Sequence, residues 1–385
     1  MVIKRVVIFF CLFMVLGPSL FSQEENRNIE FSGYLSNMQS AMIPYWDGLW
    51  ITDNLVHNRL NLKWYLSGSF TTNIEVRNRF MYGESMKYIP GYAGLINDEQ
   101  GWFDLSANLF EGQSYLFHST IDRFWVDFTK GKLQIRAGRQ RINWSQNMIW
   151  NPNDLFNAYL FFDFDYVEKP GSDAIKIQYY TGASSLVEVA VKVDQNDDIT
   201  AAGLFRFNTW SYDFQLLGGM LNSQDYVAGI GWAGDIKGAG FRGEATYFHP
   251  KEHFSDTTGF LMFGVSVDYS FKNSIYLMAE FLYSGADFSI QNFQNIYFMP
   301  LSVKTIAFTD YSLGMQISYP FTPLFNGNLS LIYYPSLDAV FTGPTLDFSL
   351  KDNLSLSLIA QYFYGKFNDE KEDLGFGFVR LKWNF

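Results

Sequence analysis

Length, composition and charge already exclude several classes of protein. A soluble chain of 385 residues would be expected to form two or more domains, and a net charge of −11 argues against a nucleic-acid partner. Aromatic residues make up 19% of the chain and charged residues only 17%, a balance typical of membrane proteins with aromatic belts.

The first 22 residues have the pattern of a secretory signal peptide. Lys4 and Arg5 precede an apolar run over 6–16 that is too short to span a bilayer as a helix. We therefore predict a signal peptide over 1–22 and a single domain over 23–385. The only cysteine, Cys11, lies in the predicted signal peptide, so disulfides, cysteine-ligated zinc and cysteine catalysis are excluded from the mature chain. No later apolar run reaches about 18 residues, so any membrane crossing must use strands.

From residue 29 onward the sequence contains about 18 strand-like segments, with 16 as the alternative. Thirteen of them are predicted at 29–39, 55–66, 197–208, 210–221, 224–234, 237–249, 258–271, 273–285, 303–319, 326–335, 339–350, 353–366 and 372–385. The other five are separated by two long loops, at 83–112 and 143–171, and by tight turns at 67–69, 130–131 and 182–185.

Each segment alternates apolar and polar side chains. In the segment that follows the turn at 182–185, Val187, Val189 and Val191 share one face, while Glu188 lies on the other. Apolar faces of ten to fourteen residues exceed those of globular sheets but suit strands that cross a bilayer. Backbone groups in lipid must all be paired, so such a sheet has to close into a barrel. Tight turns and long loops alternate, as between the two sides of an outer-membrane barrel.

The last strand carries a distinctive aromatic row. Val379, Leu381, Trp383 and the terminal Phe385 share one face. The strand resembles the C-terminal signal strand of Gram-negative outer-membrane β-barrels, which the barrel-insertion machinery reads. The resemblance implies an outer-membrane location, contact with outer-membrane lipid and lipopolysaccharide, and assembly by that machinery. An amphipathic strand of a soluble sandwich is the alternative.

A basic stripe lies on the face that the alternation assigns to the lumen. The predicted pore-lining and selectivity residues are Arg59, Lys63, Glu75, Arg77, Arg79, Arg136, Arg139 and Arg141. In a water-filled pore, arginines that face acids select polar solutes, so anions are expected to be preferred. The alternative is that these charges only pair with acids such as Asp122 and Asp127 to satisfy a polar wall.

One position breaks the alternation of this stripe. Ala137 is taken to face outward. Strict alternation from this residue would direct Arg139 and Arg141 into lipid, at a cost of about 2–4 kcal/mol each near the midplane. Glycine commonly marks β-bulges. We therefore predict a bulge at Gly138 that brings both arginines into the lumen or to the rim.

The long stretch 143–171 is dense in aromatic residues and is predicted to fold into the barrel mouth as a constriction loop. The residues assigned to it are Trp144, Trp150, Asn153, Asp154, Phe156 and Tyr159. Pure packing is the alternative role. Oxygen-bearing side chains occur here, but their spacing matches no calcium-binding loop, so no metal site is predicted.

The segment around this loop carries a second resemblance. Gly138-Arg139-Gln140, Trp144 and the runs 151–154 and 156–157 resemble a segment of porin-like outer-membrane families, including alginate-export-type and related uncharacterised barrels. The resemblance covers this stretch and the general strand pattern. It implies an 18-strand channel without indicating a solute.

Catalytic and cofactor signals are weak. An enzyme at the outer rim would need a histidine beside a nucleophile or an acid. His118 and its neighbour Ser119 point to opposite faces of one strand, and His249 and His253 fall in an apparent outer loop. Phosphate-binding glycine loops and nucleophile elbows are absent from the sequence. We predict no enzyme activity and no cofactor.

The sequence therefore predicts an all-β transmembrane antiparallel up-and-down barrel. We expect a porin-like channel for the passive diffusion of small hydrophilic solutes, with anions preferred and nucleic acid excluded as a partner. The alternatives are a hydrophobic-solute transporter, a rim-located enzyme and a structural barrel with an occluded lumen. The solute, the oligomeric state and the openness of the lumen stay open at this point.

Overall fold

The structure, a computed structural model, describes residues 28–43, 48, 50–97, 99–165, 168–287, 290, 301–367 and 370–385. The predicted signal peptide, 1–22, lies outside these residues. The described chain is nearly all β. Its helical elements are short: α1 (Ser85–Tyr88), α2 (Tyr92–Ile96) and 3₁₀ turns at Val303–Thr305 and Pro335–Leu337.

The strands follow one another along the chain with few interruptions. They are β1 (Ile29–Ile43), β2 (Ile51–Tyr65), β3 (Phe70–Gly83), β4 (Ser106–Glu111), β5 (Tyr115–Lys130), β6 (Leu133–Gln140), β7 (Ser172–Tyr180), β8 (Ser185–Val193), β9 (Ile199–Thr209), β10 (Tyr212–Leu221), β11 (Asp225–Ile236), β12 (Ala239–Pro250), β13 (Phe260–Ser270), β14 (Tyr276–Ser284), β15 (Tyr311–Thr322), β16 (Phe325–Tyr334), β17 (Ala339–Lys351), β18 (Leu354–Phe367) and β19 (Glu370–Asn384).

These strands form a closed 18-strand antiparallel barrel, with β4 as an addition to the ring. β1 pairs with β2 on one edge and with β19 on the other, where Tyr34 lies opposite Asn384. Closure pairs every strand on both edges, as lipid demands of a membrane-spanning sheet. The predicted fold class is confirmed.

No helix in the described part of the chain is both long enough and apolar enough to span a bilayer.

β4 has no counterpart among the predicted strands. β3 pairs with β5 directly, and β4 pairs with the opposite edge of β5 at Leu116–Thr120, next to the part that β6 occupies. β4 therefore lengthens the wall where β6 ends and the chain turns inward. A second difference is at 303–319, where a 3₁₀ turn precedes the strand and β15 begins only at Tyr311.

The apolar faces of the strands point outward. Val187, Val189 and Val191 are 38%, 46% and 40% exposed, whereas Glu188 between them is buried. The exposed side chains along the other strands are also mostly aliphatic or aromatic. This outward apolar surface is what a lipid-facing barrel requires.

The C-terminal residues complete the ring. Phe385 exchanges two backbone hydrogen bonds with Gly33, at 2.9 and 3.0 Å, and its ring lies 5.1 Å from that of Trp383. Val379, Leu381, Trp383 and Phe385 are all 40% exposed or more on the outer face. Their predicted role as an assembly signal remains a prediction.

Candidate functional site: the inward loop and the charged wall

The chain between β6 and β7 folds into the lumen over 141–165 and 168–171, and we call these residues the inward loop. Its first leg, 142–157, packs against the inner faces of strands in the range β8–β14. Its tip contacts β17 and β18. Its return leg, 163–165 and 168–170, reaches β19, β2 and β5. The predicted constriction loop therefore follows the inner wall.

A buried carboxylate on β12 holds the first leg at two places. Glu244 is fully buried and accepts hydrogen bonds from the backbone N–H groups of Asn147 and Asn153, both at 2.9 Å. It also accepts a short hydrogen bond from the N–H of Gln146. One side chain thus satisfies three backbone donors that irregular chain would otherwise leave unpaired inside the barrel.

A second carboxylate does the same on β14. Glu280 accepts from the N–H groups of Met148, Ile149 and Trp150, at 3.0, 2.9 and 2.7 Å. It is 3% exposed. Both oxygens of each carboxyl group accept N–H hydrogen bonds, so Glu244 and Glu280 together fix the first leg to two strands.

Polar side chains of other strands add to this attachment. The Trp144 indole N–H donates to Glu188 on β8 at 2.6 Å, and Gln215 on β10 donates to the Trp144 carbonyl at 2.8 Å. On β12, the Thr246 hydroxyl donates to the carbonyl of Pro152 at 3.0 Å. The first leg is therefore hydrogen-bonded to β8, β10, β12 and β14.

Glycines make room for the first leg on strands next to those that carry Glu244 and Glu280. A Cβ atom at Gly264 on β13 would lie 2.5 Å from the Asn147 amide, and one at Gly314 on β15 would lie 2.4 Å from Ile149. Real Cβ contacts are essentially never so short. These glycines let the loop backbone approach the wall closely enough to reach the carboxylates.

A bulkier residue at Gly314 should displace the first leg. We expect Gly314→Val to lower the thermal stability of the folded barrel by several degrees, because Ile149 and Trp150 must move out of a packed site. Heat-induced unfolding in detergent measures this. The matched control is Gly218→Val, at an exposed glycine on β10. Equal stability of the two variants would mean that the loop does not depend on this space.

The tip is held by aromatic packing. The ring of Phe162 lies 4.7 Å from Phe341 and 5.2 Å from Phe363, and its carbonyl accepts from Gln361 at 3.0 Å. Phe156, another predicted loop residue, meets Trp144 edge to face at 4.9 Å. The aromatic residues of the loop are therefore mostly buried between loop and wall.

Ionic contacts hold the return leg. Asp165 lies 3.4 Å from His57 Nδ1 and 3.7 Å from the guanidinium of Arg380. Burial alone would raise the pKa of Asp165, but the hydrogen bond from His57 and the nearby Arg380 lower it below its ordinary value. Arg123 donates at 2.7 Å to the carbonyls of Glu168 and Lys169.

Most of the predicted basic stripe lies on the wall formed by β2, β3, β5 and β6. Arg59 is 1% exposed and forms short ion pairs with Glu75 and Asp122. Arg77 joins them, with its Nε 3.3 Å from Asp122. This group is close to charge balance.

Two arginines of the stripe are different, because neither forms an ion pair with any residue that the structure describes. They are Arg79 on β3 and Arg141 in the inward loop, and the Nε of each is buried without a hydrogen-bond partner. Arg79 and Arg77 line a cavity of about 260 Å³ near the long loops, with Lys192 on another side. The cavity therefore contains positive charge that is only partly compensated.

Two basic residues of the stripe lie nearer the short turns. Arg136 is 2.9 Å from Asp127 and stacks 4.0 Å above the ring of Trp125. Lys63 lies over the ring of Tyr65 at 4.7 Å.

Arg139 lies on the outer face, and the predicted bulge at Gly138 is not found. The β5–β6 pairing runs through Gly138 without an extra residue, which puts Arg139 opposite Phe124, an outward side chain that is 52% exposed. The register irregularity falls instead in the β3–β5 pairing, beside Glu75.

Other chain segments shield Arg139 from lipid. Its guanidinium binds both oxygens of Asp173 at 2.8 Å, Glu99 at 2.8 Å and the carbonyl of Phe103 at 2.6 Å. The ion pair with Asp173 is buried on both sides. Shielding by 99–103 thus replaces the predicted bulge as the reason that this charge is tolerated.

The histidines form hydrogen bonds that the sequence did not indicate. Asn108 donates its amide to the Ala93 carbonyl, so its oxygen faces His118 Nδ1 at 3.0 Å and must accept from it. His118 Nε2 then faces the Thr120 hydroxyl at 3.3 Å. These side chains are largely buried in the wall beneath the α1–α2 segment.

Sequence reasoning named the inward loop but missed the carboxylates that hold it. Glu188, Glu244 and Glu280 are each the single acid of their strand, and Gly264 and Gly314 lie opposite Glu244 and Glu280 on the neighbouring strands. An isolated inward acid beside an inward glycine was the available signal. Among the described residues, no group of three or more His, Cys, Asp or Glu side chains is arranged to hold a metal ion.

Comparisons with known proteins agree with this architecture. The sequence matches no model of a known protein family and no curated protein sequence. Its structure is similar to that of Pseudomonas aeruginosa OccK9 (OpdG), with a TM-score of 0.61 at 11% identity over 93% of this chain and 98% of that one.

Two further solved structures give the same result. Pseudomonas aeruginosa OccK11 (OpdR) has a TM-score of 0.59 at 8% identity, covering 93% of this chain and 96% of its own. Acinetobacter baumannii OccAB4 has a TM-score of 0.56 at 10% identity, covering 94% and 99%. At such identities the likeness concerns the fold, and the chain is a transmembrane antiparallel β-barrel of 18 strands with the architecture of these porins.

Proposed function

We propose that this protein is a passive outer-membrane channel for small hydrophilic solutes, with the inward loop as its constriction. The observation that carries the proposal is the attachment of this loop to strands on several sides of the lumen. A loop fixed in this way narrows a barrel without requiring a moving plug. The porin architecture of the closed barrel supports the same function.

The proposed setting is the outer membrane of a Gram-negative bacterium. The signal peptide over 1–22 would export the chain, and the insertion machinery would read the C-terminal strand. The short turns would face the periplasm and the long loops the exterior. Outer-membrane lipid and lipopolysaccharide would then cover the apolar outer face.

We propose a preference for anions. Its support is the partly compensated positive charge of Arg79, Arg77 and Lys192 in the cavity near the long loops, together with Arg141 in the inward loop. A local field of this kind matters more for ion selectivity than the net charge of the protein. At physiological salt, screening limits the reach of more distant charges to about 10 Å or less. Arg139 borders the same cavity, but it does not belong to this set because Asp173 and Glu99 compensate its charge.

Single-channel recording of the purified protein in a planar bilayer tests the channel. We expect stepwise ohmic currents and a reversal potential in a salt gradient that indicates anion preference. Correctly folded protein that leaves the bilayer silent would reject the open channel in favour of an occluded barrel.

Neutralising Arg79 should weaken the anion preference. We expect Arg79→Met to reduce the ratio of anion to cation permeability by about twofold or more, because a guanidinium without an ion-pair partner contributes its full charge to the field. The reversal potential in a salt gradient measures this ratio. Lys130→Met, on an exposed side chain beside a short turn, is the control. An unchanged ratio in Arg79→Met would remove this residue from the selectivity site.

We propose no enzyme activity. His118 contacts Thr120 and Asn108, but His118 and Thr120 are buried in the wall. A hydrophobic-solute transporter is less well supported, because the loop aromatics pack against the wall. The resemblance to alginate-export-type barrels stays a prediction, and we do not assign alginate as the solute.

A further inference from the structure

Asp154 in the inward loop is a buried carboxyl group without hydrogen bonds. Its backbone N–H closes a turn onto the carbonyl of Asn151 at 3.1 Å, which directs the side chain into the loop. The residue is 1% exposed, and neither carboxylate oxygen has a hydrogen-bond partner among the residues the structure describes. The N–H of Trp144 faces the group without reaching hydrogen-bond geometry.

Positive charges surround this carboxyl group. The charged and titratable groups facing it are Arg141, Tyr159 and Lys169 of the inward loop, Lys192 of β8 and Glu244 of β12. The Lys169 ammonium lies over the ring of Tyr159, whose hydroxyl accepts from Asn151 at 3.0 Å. Arg141 and Lys169 are only partly buried, so their charges also act on the lumen.

Two opposing effects act on the protonation of the Asp154 carboxyl group. Burial favours the neutral acid, whereas the field of Arg141 favours the anion. Burial dominates and raises the pKa of Asp154 to about 7. Burial, with the charge of Arg141, also lowers the pKa of Lys169 to about 7. Both groups therefore exchange protons close to neutral pH.

We propose that Asp154 is a specificity-determining residue of the constriction, where it binds a proton and thereby sets how much positive charge the inward loop presents. This inference rests on the proposed channel function. With Asp154 neutral, Arg141, Lys169 and Lys192 act on a passing ion without opposition. With Asp154 ionised, one of these charges is cancelled.

The direction of the pH effect follows from these charges. A rise in pH removes a proton from Asp154 and adds a negative charge, and any loss of the Lys169 proton acts in the same direction. Both changes lower the positive field of the inward loop. Anion preference therefore falls as pH rises through neutrality.

Reversal potentials in a salt gradient, recorded from about pH 5.5 to pH 8.5, test the inference. We expect the ratio of anion to cation permeability of the parent channel to fall by about twofold to threefold across this range. Asp154→Asn should give a higher ratio than the parent at alkaline pH and keep only the smaller pH response that Lys169 contributes. The matched control is Asp163→Asn, an exposed acid of the same loop, which should keep the pH response.

Lys169→Arg distinguishes the contribution of Asp154 to the pH response from that of Lys169, because arginine stays charged throughout this range. We expect a reduced but clear pH response in Lys169→Arg. A response that survives in Asp154→Asn and disappears in Lys169→Arg would assign the proton to Lys169 and overturn the inference.

Infrared difference spectra give a readout that needs no current. The difference between the spectra of the folded parent protein and of Asp154→Asn should contain a carbonyl band of a protonated carboxylic acid that titrates near neutral pH. The absence of such a band would overturn the inference. A titrating band with silent bilayers would reject the proposed channel alone, and a conducting channel with a pH-independent ratio would reject Asp154 as the specificity residue.

Discussion

Glu280→Ala should free the first leg of the inward loop and give larger, noisier current steps than the parent channel. The substitution leaves three buried backbone N–H groups, those of Met148, Ile149 and Trp150, without their acceptor. Each unsatisfied buried donor costs about 1–3 kcal/mol, so the attached conformation loses at least about 3 kcal/mol. The loop then samples positions away from the wall.

Three measurements check this prediction: single-channel noise, unfolding temperature and proteolysis of the loop by a protease that cleaves at aromatic residues. Glu244→Ala should behave in the same way, because Glu244 also accepts three N–H groups. Glu252→Ala, at an exposed acid of an outer loop, is the control. If Glu280→Ala matched this control in all three measurements, the carboxylate would not be what fixes the loop.

Arg139→Met should destabilise the barrel strongly and change ion selectivity less than Arg79→Met does. Removal of the guanidinium leaves the buried carboxylate of Asp173 without its ion-pair partner, and Glu99 loses the same partner. Loss of one partner of a buried ion pair costs about 3–5 kcal/mol. Arg139 has an outward position in the strand register but borders the cavity that Arg79 lines. Because a buried carboxyl group without a partner tends to bind a proton, the field of the cavity should change less than in Arg79→Met.

Urea unfolding of the detergent-solubilised protein measures the stability, and the reversal potential measures the selectivity. A second substitution, Asp173→Asn in the Arg139→Met background, should restore part of the lost stability because it removes the unpaired buried charge. Arg79→Met should show the opposite pattern, with altered selectivity and nearly unchanged stability. A shift in reversal potential for Arg139→Met equal to that of Arg79→Met would contradict the outward placement.

The strands could be predicted from the sequence because their signal is local. The alternation of Val187 to Val191 with Glu188 and Ala190 already indicates which face meets lipid and which meets the lumen. The tight turns at 67–69 and 182–185 likewise set neighbouring strands antiparallel. Strand boundaries shifted by a few residues, and β4 was missed because its six residues pair only with part of β5.

The direction of the arginines could not be predicted as reliably. Alternation from Ala137 correctly pointed Arg139 outward, but the expected cost in lipid suggested a bulge that the structure lacks. The actual solution uses Glu99 and Asp173, which are 40 and 34 residues away along the chain. No local pattern indicates that a distant segment will shield a charge.

By itself, the sequence determined the closed antiparallel barrel, its outward apolar face and the long segment that had to leave the wall. These features follow from side-chain period and turn length, which act within a few residues. Only the tertiary structure decided where the inward loop is held and which arginines stay unpaired. Glu244 meets Gln146 across 98 residues, and Glu280 meets Met148 across 132. Such contacts exist only once the ring has closed, because closure is what brings β12 and β14 opposite the end of β6.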